Sequence, residues 1–577
     1  MLTSKQLFWT LTLFGVVFFS SFIHPFHIHP FRAFYHDATA LLSVVLVLGC
    51  FGLVKKINLR IPASVVLPLG LVVVIGLQLW NEMILFPTDL IFPVVYLLGF
   101  ALAMVVGATL AGMAGGLEKL CLTLAIGFVA TGLLSVGFEQ VQLFGLAGMP
   151  WVMPLLDLRA MRVYANIGQP NMLALHLCFA LASVWWLYLS GRLRASLVLV
   201  MAVLFLWGMT LTQSRISWII LPLFLVLCWQ PPQGSVPTSK WLLAGLLLLF
   251  ALMVALTPAL LTHFGLVQES ALERAGHTSE RLILWQQAWR ITTLHPWLGV
   301  GWFQFGPQQV MLAPLFPQAE YSEYAHELVL ELAVSFGWPL TLLILAASLY
   351  WMYQCCFRQW QRLPVRFAIL IFAALGVHSL VEFPLWYATV LIPFGLLIGA
   401  LHRPELGEKA FALARGWALS AALAMMVFML VAAWDYHRVV IGFGAMMREQ
   451  LGKPVLSGST VKPELTLYSQ FYDYFQVSKI KVEPGISAAD VAFLERASIR
   501  FCYAPVLQRL ALAYVYTSRP NEALQVLFTI ERLQTRDYVK TYALWSTFAQ
   551  QDPVNFAEIF KRMPKPKATP ALAAPVP

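Results

Sequence analysis

The chain has 577 residues, of which 59% are hydrophobic and only 11% charged, and its formal net charge is +10. A mean hydropathy of +0.74 excludes a soluble globular protein of this size and makes the bilayer the solvent. Membrane lipid is therefore an expected partner, and nucleic acid is not.

Thirteen apolar segments occupy the first 435 residues, near 7–23, 38–54, 62–80, 91–111, 118–136, 170–190, 195–212, 216–230, 241–262, 328–353, 366–381, 386–402 and 413–435. Each is long enough, or nearly so, to cross about 30 Å of hydrocarbon as a helix. The expected fold is all-α: a polytopic membrane protein of about 13 transmembrane helices. All six lysines before residue 435 (Lys5, Lys55, Lys56, Lys119, Lys240 and Lys409) fall in alternate gaps, with Arg60, Arg192, Arg194, Arg358, Arg362, Arg366, Arg403 and Arg415. The positive-inside rule then places the N terminus in the cytoplasm, and an odd number of spans exports the C terminus. The outside gaps hold no lysine and seven arginines: Arg32, Arg159, Arg162, Arg215, Arg274, Arg281 and Arg290.

Segment 7–23 follows a lysine as a signal peptide would, but no small-residue cleavage site comes after it, so it counts as the first span. Next come His24, His27 and His29, where alternating prolines favour an interfacial turn over a metal site. Six of the seven cysteines lie in spans or inside loops; only Cys502 is exported, which leaves no intramolecular disulfide there. For the adjacent Cys355 and Cys356, packing competes with lipidation.

Residues 1–435 thus form a transmembrane domain with a long external loop at 263–327. Residues 436–562 form a separate exported helical domain, and 563–577 have the makeup of a disordered tail. The exported part carries 17 Lys+Arg against 11 Asp+Glu, a balance of +6 that suits either an acidic partner or an ordinary solvated surface. Its stretch RLALAYVYTSRPNEALQVLF (509–528) is similar to a tetratricopeptide helix pair, with Arg519-Pro520-Asn521 as the turn. One such pair cannot bury its own faces.

Chemistry is expected where polar groups crowd the outer face. In Arg162–Asn171, Pro170 suits a helix's first turn, where free N–H groups face outward. Gln169 and Asn171 either bond a phosphate or sugar there, or the motif is a simple cap made by Asn166 or Asn171. In Thr212-Gln213-Ser214-Arg215, the arginine either snorkels to headgroups or holds an anion through bidentate hydrogen bonds. The external loop offers an amphipathic helix with Leu282, Trp285, Ala288 and Trp289 on one stripe, Arg281 and Arg290 toward the headgroups, and an end near His295-Pro296.

At the tenth span, His326 is the natural general base near neutral pH, with Glu323 or Glu327 to hold its tautomer. A zinc peptidase would need histidine where Leu330 stands. A calcium or magnesium site from Glu320, Glu323, Glu327 and Glu331 is a separate option. His378 and Glu382, four apart, read as a structural polar pair. A transporter would place its ionisable groups and broken helices at mid-membrane, whereas these groups gather at one face.

The motif order TQSR, R-L-x-L-W, HPWLGVGW and AHEL resembles the O-antigen ligase and polymerase superfamily. The HPF…FYHD stretch, ANIGQPN, HSLVEFPLWYA and the helical tail are similar, within it, to the bacterial PglL-type O-oligosaccharyltransferases. That resemblance implies transfer of a glycan from undecaprenyl pyrophosphate to a hydroxyl on the periplasmic side of a Gram-negative inner membrane, without a metal or other cofactor. Pilin-like proteins are the acceptors it implies, with the tail as a docking module; an O-antigen ligase or polymerase acting on lipid A core or another glycan is the alternative. Carried over, the family's loop histidine falls on His326, its glutamine on Gln169, its tyrosine on Tyr387 and its phosphate-side arginines on Arg215 and Arg281. Glu327 stands where the family commonly has asparagine, which leaves the orientation of His326 open.

Overall fold

The computed structural model describes residues 2–146, 149–155, 162–232, 235–263, 280–455 and 458–566. Arg159, Arg274 and most of the proposed disordered tail lie outside them. The elements run α1 (Ser4–Ser20), α2 (Phe34–Phe51), β1 (Lys56–Pro62), α3 (Val66–Trp80), α4 (Ile91–Ala111), α5 (Gly116–Leu143), α6 (Pro170–Leu189), α7 (Ala195–Leu211), α8 (Ser217–Cys228) and α9 (Lys240–His263). They continue with α10 (Glu280–Leu294), α11 (Phe305–Leu312), α12 (Leu328–Cys355), α13 (Leu363–Ser379), α14 (Ala388–Leu401), β2 (Glu408–Ala414) and α15 (Arg415–Gln450). Six helices complete the chain: α16 (Ser469–Lys479), α17 (Ala488–Arg500), α18 (Ala504–Tyr516), α19 (Pro520–Leu533), α20 (Thr535–Gln551) and α21 (Pro553–Arg562).

A helix stands at each apolar segment read from the sequence. Among the described residues, eight are long and apolar enough to cross a membrane: α2, α3, α4, α5, α6, α9, α12 and α15. Four more apolar helices, α7, α8, α13 and α14, are shorter. The all-α expectation misses one feature. β1 and β2 pair antiparallel, in register from Lys56 opposite Ala414 to Pro62 opposite Glu408. Both strands come from charged gaps that hydropathy treats as loops.

Two compact units divide the chain: residues 1–77, 90–277 and 342–440, and residues 78–89, 278–341 and 441–577. In the first unit α6 is the interior helix, with sixteen of its twenty residues buried, as expected of a helix that is apolar all round. It packs against α5, α7 and α13. Helices α4 and α14 approach most closely. A Cβ on Gly399 would overlap the carbonyl oxygen of Met104, and Gly395, four residues earlier, faces Ala103 and Phe100. This Gly-x-x-x-Gly stripe lets two backbones meet where lipid offers no hydrophobic drive for association. Cys355 and Cys356 are both buried, consistent with packing rather than a lipid-modified surface.

In the second unit, α10, α11 and the start of α12 share a body with α16–α21. Leu507, Leu510, Leu524, Leu527 and Trp545 form its main core together with Ala313. The loop before α12 is laced to α19 by backbone bonds from Ala319 N–H to Arg532 C=O and from Tyr321 N–H to Leu533 C=O, each 2.9 Å. Helix α10 does end at Leu294, but its inward face is Leu284, Ala288 and Ile291, while Leu282 and Trp289 are exposed. The pair α18 and α19 turns at Thr517–Arg519, with Ser518 left-handed at φ 58° and Pro520 opening α19, two residues earlier than the expected Arg519-Pro520-Asn521. Cys502 is buried, and burial pushes its thiol up to about 12, so it is an inert core group.

Replacing Gly399 with leucine should force α4 and α14 apart at a cost of about 1–3 kcal/mol. Thermal unfolding of the detergent-purified protein should therefore fall clearly below wild type; an unchanged midpoint would mean the interface has room that the backbone approach denies.

Candidate functional site

In the first unit the residues around Gln169 are held by two buried amides. Gln142, near the end of α5, donates to the carbonyls of Met153 and Ala165 and accepts the N–H groups of Tyr164 and Ala165, all at 2.8–3.0 Å. Asn166 accepts the Met153 N–H and donates to the carbonyls of Ile23 and Trp151. Every polar atom of these two side chains is used, which suits groups buried away from water. The chain between them takes a left-handed step at Ala165, φ 48°. It emerges at Gln169, whose Oε1 accepts the Met172 N–H at 2.6 Å and caps α6. The cap is thus Gln169 itself, not Asn166 or Asn171. Its Nε2 makes no hydrogen bond among the described residues and is a donor available to a ligand.

Asn171 is instead a hub. Its Oδ1 accepts from Arg162 Nη2 and from Ser214 Oγ, both at 3.0 Å, and its Nδ2 donates to Glu382 Oε1 at 2.6 Å. Arg162 Nε also donates to the Thr212 carbonyl at 3.0 Å. One network therefore joins the start of α6, the TQSR turn and the turn after α13. Gln213 in that turn is left-handed, φ 52°. Arg215 follows, half-buried, two residues before α8. Its guanidinium has no hydrogen bond or ion pair among the described residues, unlike Arg162, which is committed to the scaffold. Because α13 ends at Ser379, Glu382 lies in the following turn, with its N–H on the His378 carbonyl.

Tyr387 is half-buried immediately before α14, its ring parallel to Phe383 at 6.1 Å. The cap of α14 comes from elsewhere: Asp37 Oδ1 on α2 accepts the N–H groups of Ala388 at 2.7 Å and Thr389 at 3.3 Å, while its Oδ2 accepts the Tyr96 hydroxyl at 2.9 Å. Sequence reasoning passed over Asp37. It lies just ahead of the apolar segment 38–54, and only the start of α2 at Phe34 places it inside the helix.

The second unit carries Arg281, His326 and Glu327. Arg281 is half-buried in the first turn of α10. His326 is left-handed at φ 53°, a conformation that costs a non-glycine residue of order 1–3 kcal/mol and persists only where its surroundings impose it. They do so from both sides. Before it, the Ala325 N–H donates to Glu331 Oε2 at 2.7 Å, and Glu331 is a buried side chain in the first turn of α12. After it, Glu327 caps α12, its two carboxylate oxygens accepting the N–H groups of Val329 at 3.1 Å and Leu330 at 2.7 Å. Asparagine is itself a favoured capping residue.

The four glutamates do not form a cation site. Glu320 pairs with Arg536 and Glu323 with Arg500, each at 2.7 Å, Glu327 caps a helix and Glu331 holds the turn. Among the described residues no group of three or more His, Cys, Asp or Glu side chains is placed to hold a metal ion. The HPWLGVGW segment has its own structural reason: Gly299, φ 68°, lies against the Val334 carbonyl, the Val300 N–H donates to that carbonyl at 2.8 Å, and the Trp338 N–H donates to the Pro296 carbonyl at 2.8 Å. It braces the break in α12 at Gly337, φ 78°.

Two family matches cover much of this machinery. Residues 200–345 match the O-antigen ligase family, and residues 366–551 match the C-terminal region of virulence-factor membrane-bound polymerases. Over those two stretches the chain is similar to both families. It is 25% identical over 547 residues, 92% of this chain and 93% of the relative, to a general O-oligosaccharyltransferase of Acinetobacter baylyi. It is also 26% identical over 241 residues, 41% of this chain and 43% of the relative, to a ComP-specific O-oligosaccharyltransferase of the same organism.

Glu327→Ala should lose about 0.5–2 kcal/mol of local stability at the start of α12, seen as faster amide exchange at residues 325–331, and Glu327→Asn should restore protection. Exchange unchanged in the alanine variant would show that the cap does not hold this turn.

Proposed function

We propose that this protein is an O-oligosaccharyltransferase that moves an oligosaccharide en bloc from undecaprenyl pyrophosphate to serine or threonine hydroxyls of an exported, pilin-like acceptor protein. The observation that carries the reading is His326, held left-handed between Glu331 and the Glu327 cap, in a chain similar from end to end to a general O-oligosaccharyltransferase. Thirteen spans, a cytoplasmic N terminus and a periplasmic loop and tail in the bacterial inner membrane complete the proposal. The helix pair α18–α19 makes the tail tetratricopeptide-like.

In the reaction, the acceptor oxygen attacks C1 of the first sugar while His326 takes the hydroxyl proton. The C1–O bond to the diphosphate breaks with its electron pair, and undecaprenyl pyrophosphate leaves. Arg215 and Arg281 neutralise the diphosphate, stabilising the leaving group as charge develops on it. Gln169, through its Nε2, and Tyr387, through its hydroxyl, orient donor or acceptor without titrating. A single displacement inverts the configuration at C1.

A second reading has its own support, because the match over 200–345 is to O-antigen ligases: the same displacement with lipid A core or another glycan as acceptor. Purified protein, a lipid-linked oligosaccharide and a serine-containing pilin, assayed with and without chelator beside His326→Ala, separate the two. Glycan on the pilin, insensitive to chelator and reduced about 10²–10⁴-fold in the variant, is the expected result. No transfer to pilin, with transfer to lipid A core, would establish the ligase reading, and full activity of His326→Ala would remove the base.

A further inference from the structure

The most heavily buried ion cluster in the second unit lies beside the candidate base. Arg500, the last residue of α17, is 5% exposed and forms a two-pronged pair with Asp89: Nε to Oδ2 at 2.7 Å and Nη2 to Oδ1 at 3.3 Å. Its remaining nitrogen, Nη1, donates to Glu323 Oε1 at 2.7 Å. Burial alone would lower the pKa of this guanidinium, yet Asp89 and Glu323 outweigh it and hold it well above its ordinary value. The group stays charged, and it faces two carboxylates.

Three contacts run from Arg500 into the segment that ends at His326. Glu323 is three residues before it. The hydroxyl of Tyr321 donates to the Arg500 carbonyl at 3.4 Å. The guanidinium also sits 4.7 Å from the ring centre of Phe303, and Phe303, itself left-handed at φ 63°, meets the Tyr324 ring at 5.4 Å. Tyr324 is two residues before His326. On the far side, the turn is anchored to α12 by Glu331 and Glu327. Residues 321–326 therefore run between the fixed start of α12 and three holds: the Leu533 carbonyl on the Tyr321 N–H, Gln309 Oε1 on the Ser322 N–H at 2.8 Å, and Arg500 on the Glu323 side chain nearest His326. Arginine suits this place because its planar fork serves two carboxylates at once, which a lysine ammonium cannot do with fixed geometry.

We propose that Arg500, acting through Glu323, is a positioning residue for His326, so that the C-terminal helical domain sets the reach of the base as well as meeting acceptors. The proposal rests on His326 being that base. It touches no reacting atom. A displacement of about 1 Å in a catalytic group can cost on the order of 10²-fold in rate, so a loosened loop lowers turnover while binding sites elsewhere are untouched.

Glu323→Gln is the clean variant, because the Arg500–Asp89 pair remains and the fold keeps its buried charge partner. Arg500→Gln is the stronger one. With the full-length enzyme, lipid-linked donor and acceptor protein, Glu323→Gln should lower kcat about 10–10²-fold with both KM values within about twofold and an unchanged unfolding midpoint. In a His326→Ala background, measured by single turnover with enzyme in excess, Glu323→Gln should cost nothing further, since effects routed through one group do not add. An equal loss in both backgrounds, or a raised KM at constant kcat, would make the cluster a general brace and overturn the proposal. An unchanged rate in Glu323→Gln beside a damaged His326→Ala would remove the positioning role alone, whereas full activity of His326→Ala would remove the base and the proposal with it.

Discussion

The first N–H groups of a helix have no partner within it, and inside a bilayer water does not supply one. Each stretch singled out for chemistry in this chain sits at such a start. Gln169 caps α6, Arg215 lies two residues before α8, Glu327 caps α12, and Tyr387 stands immediately before α14, where Asp37 supplies the cap from another helix. The need to satisfy these donors dictates glutamine, glutamate and aspartate where an apolar segment would otherwise begin. It also leaves polar side chains beside the positive ends of helix dipoles, an arrangement that suits the anionic donor proposed above.

The turns that lead into these helices share a second constraint. Among the described residues six non-glycine residues have positive φ; Ala165, Gln213 and His326 fall inside the motifs ANIGQPN, TQSR and AHEL, and Phe303 directly follows HPWLGVGW. Strain of this kind survives only where the surroundings over-determine it. Here they are visible: Gln142 and Asn166 around Ala165, the Thr212 hydroxyl accepting the Ser214 N–H beside Gln213, and Glu331 and Glu327 around His326. The cost is local, and it fixes the direction of a side chain in advance.

Much of this architecture was legible in the sequence. Hydropathy alone placed a helix at each apolar segment, because in a bilayer the apolar run and the helix are nearly the same thing, although α5 runs on to Leu143 and α15 to Gln450, past the expected ends at 136 and 435. His326, Gln169 and Arg215 were legible because their neighbours punctuate helix starts. The partners were not. Asp37 meets α14 across about 350 positions, Asn171 finds Glu382 across 211, and Arg500 finds Asp89 across 411, and no local periodicity encodes such pairings. The pairing of β1 with β2 was hidden for the same reason. That Gln169 caps α6 through its Oε1, rather than Asn166 or Asn171 doing so, needed the geometry.

The proposed chemistry is one displacement at C1, with the proton leaving to His326 and the diphosphate departing toward arginines. Its most direct test is the anomeric configuration of the transferred sugar, determined by NMR on the glycosylated acceptor and compared with that of the lipid-linked donor. Inversion is the predicted result. Retention would require a covalent glycosyl-enzyme or a second displacement, and would contradict a mechanism in which His326 serves only as the base.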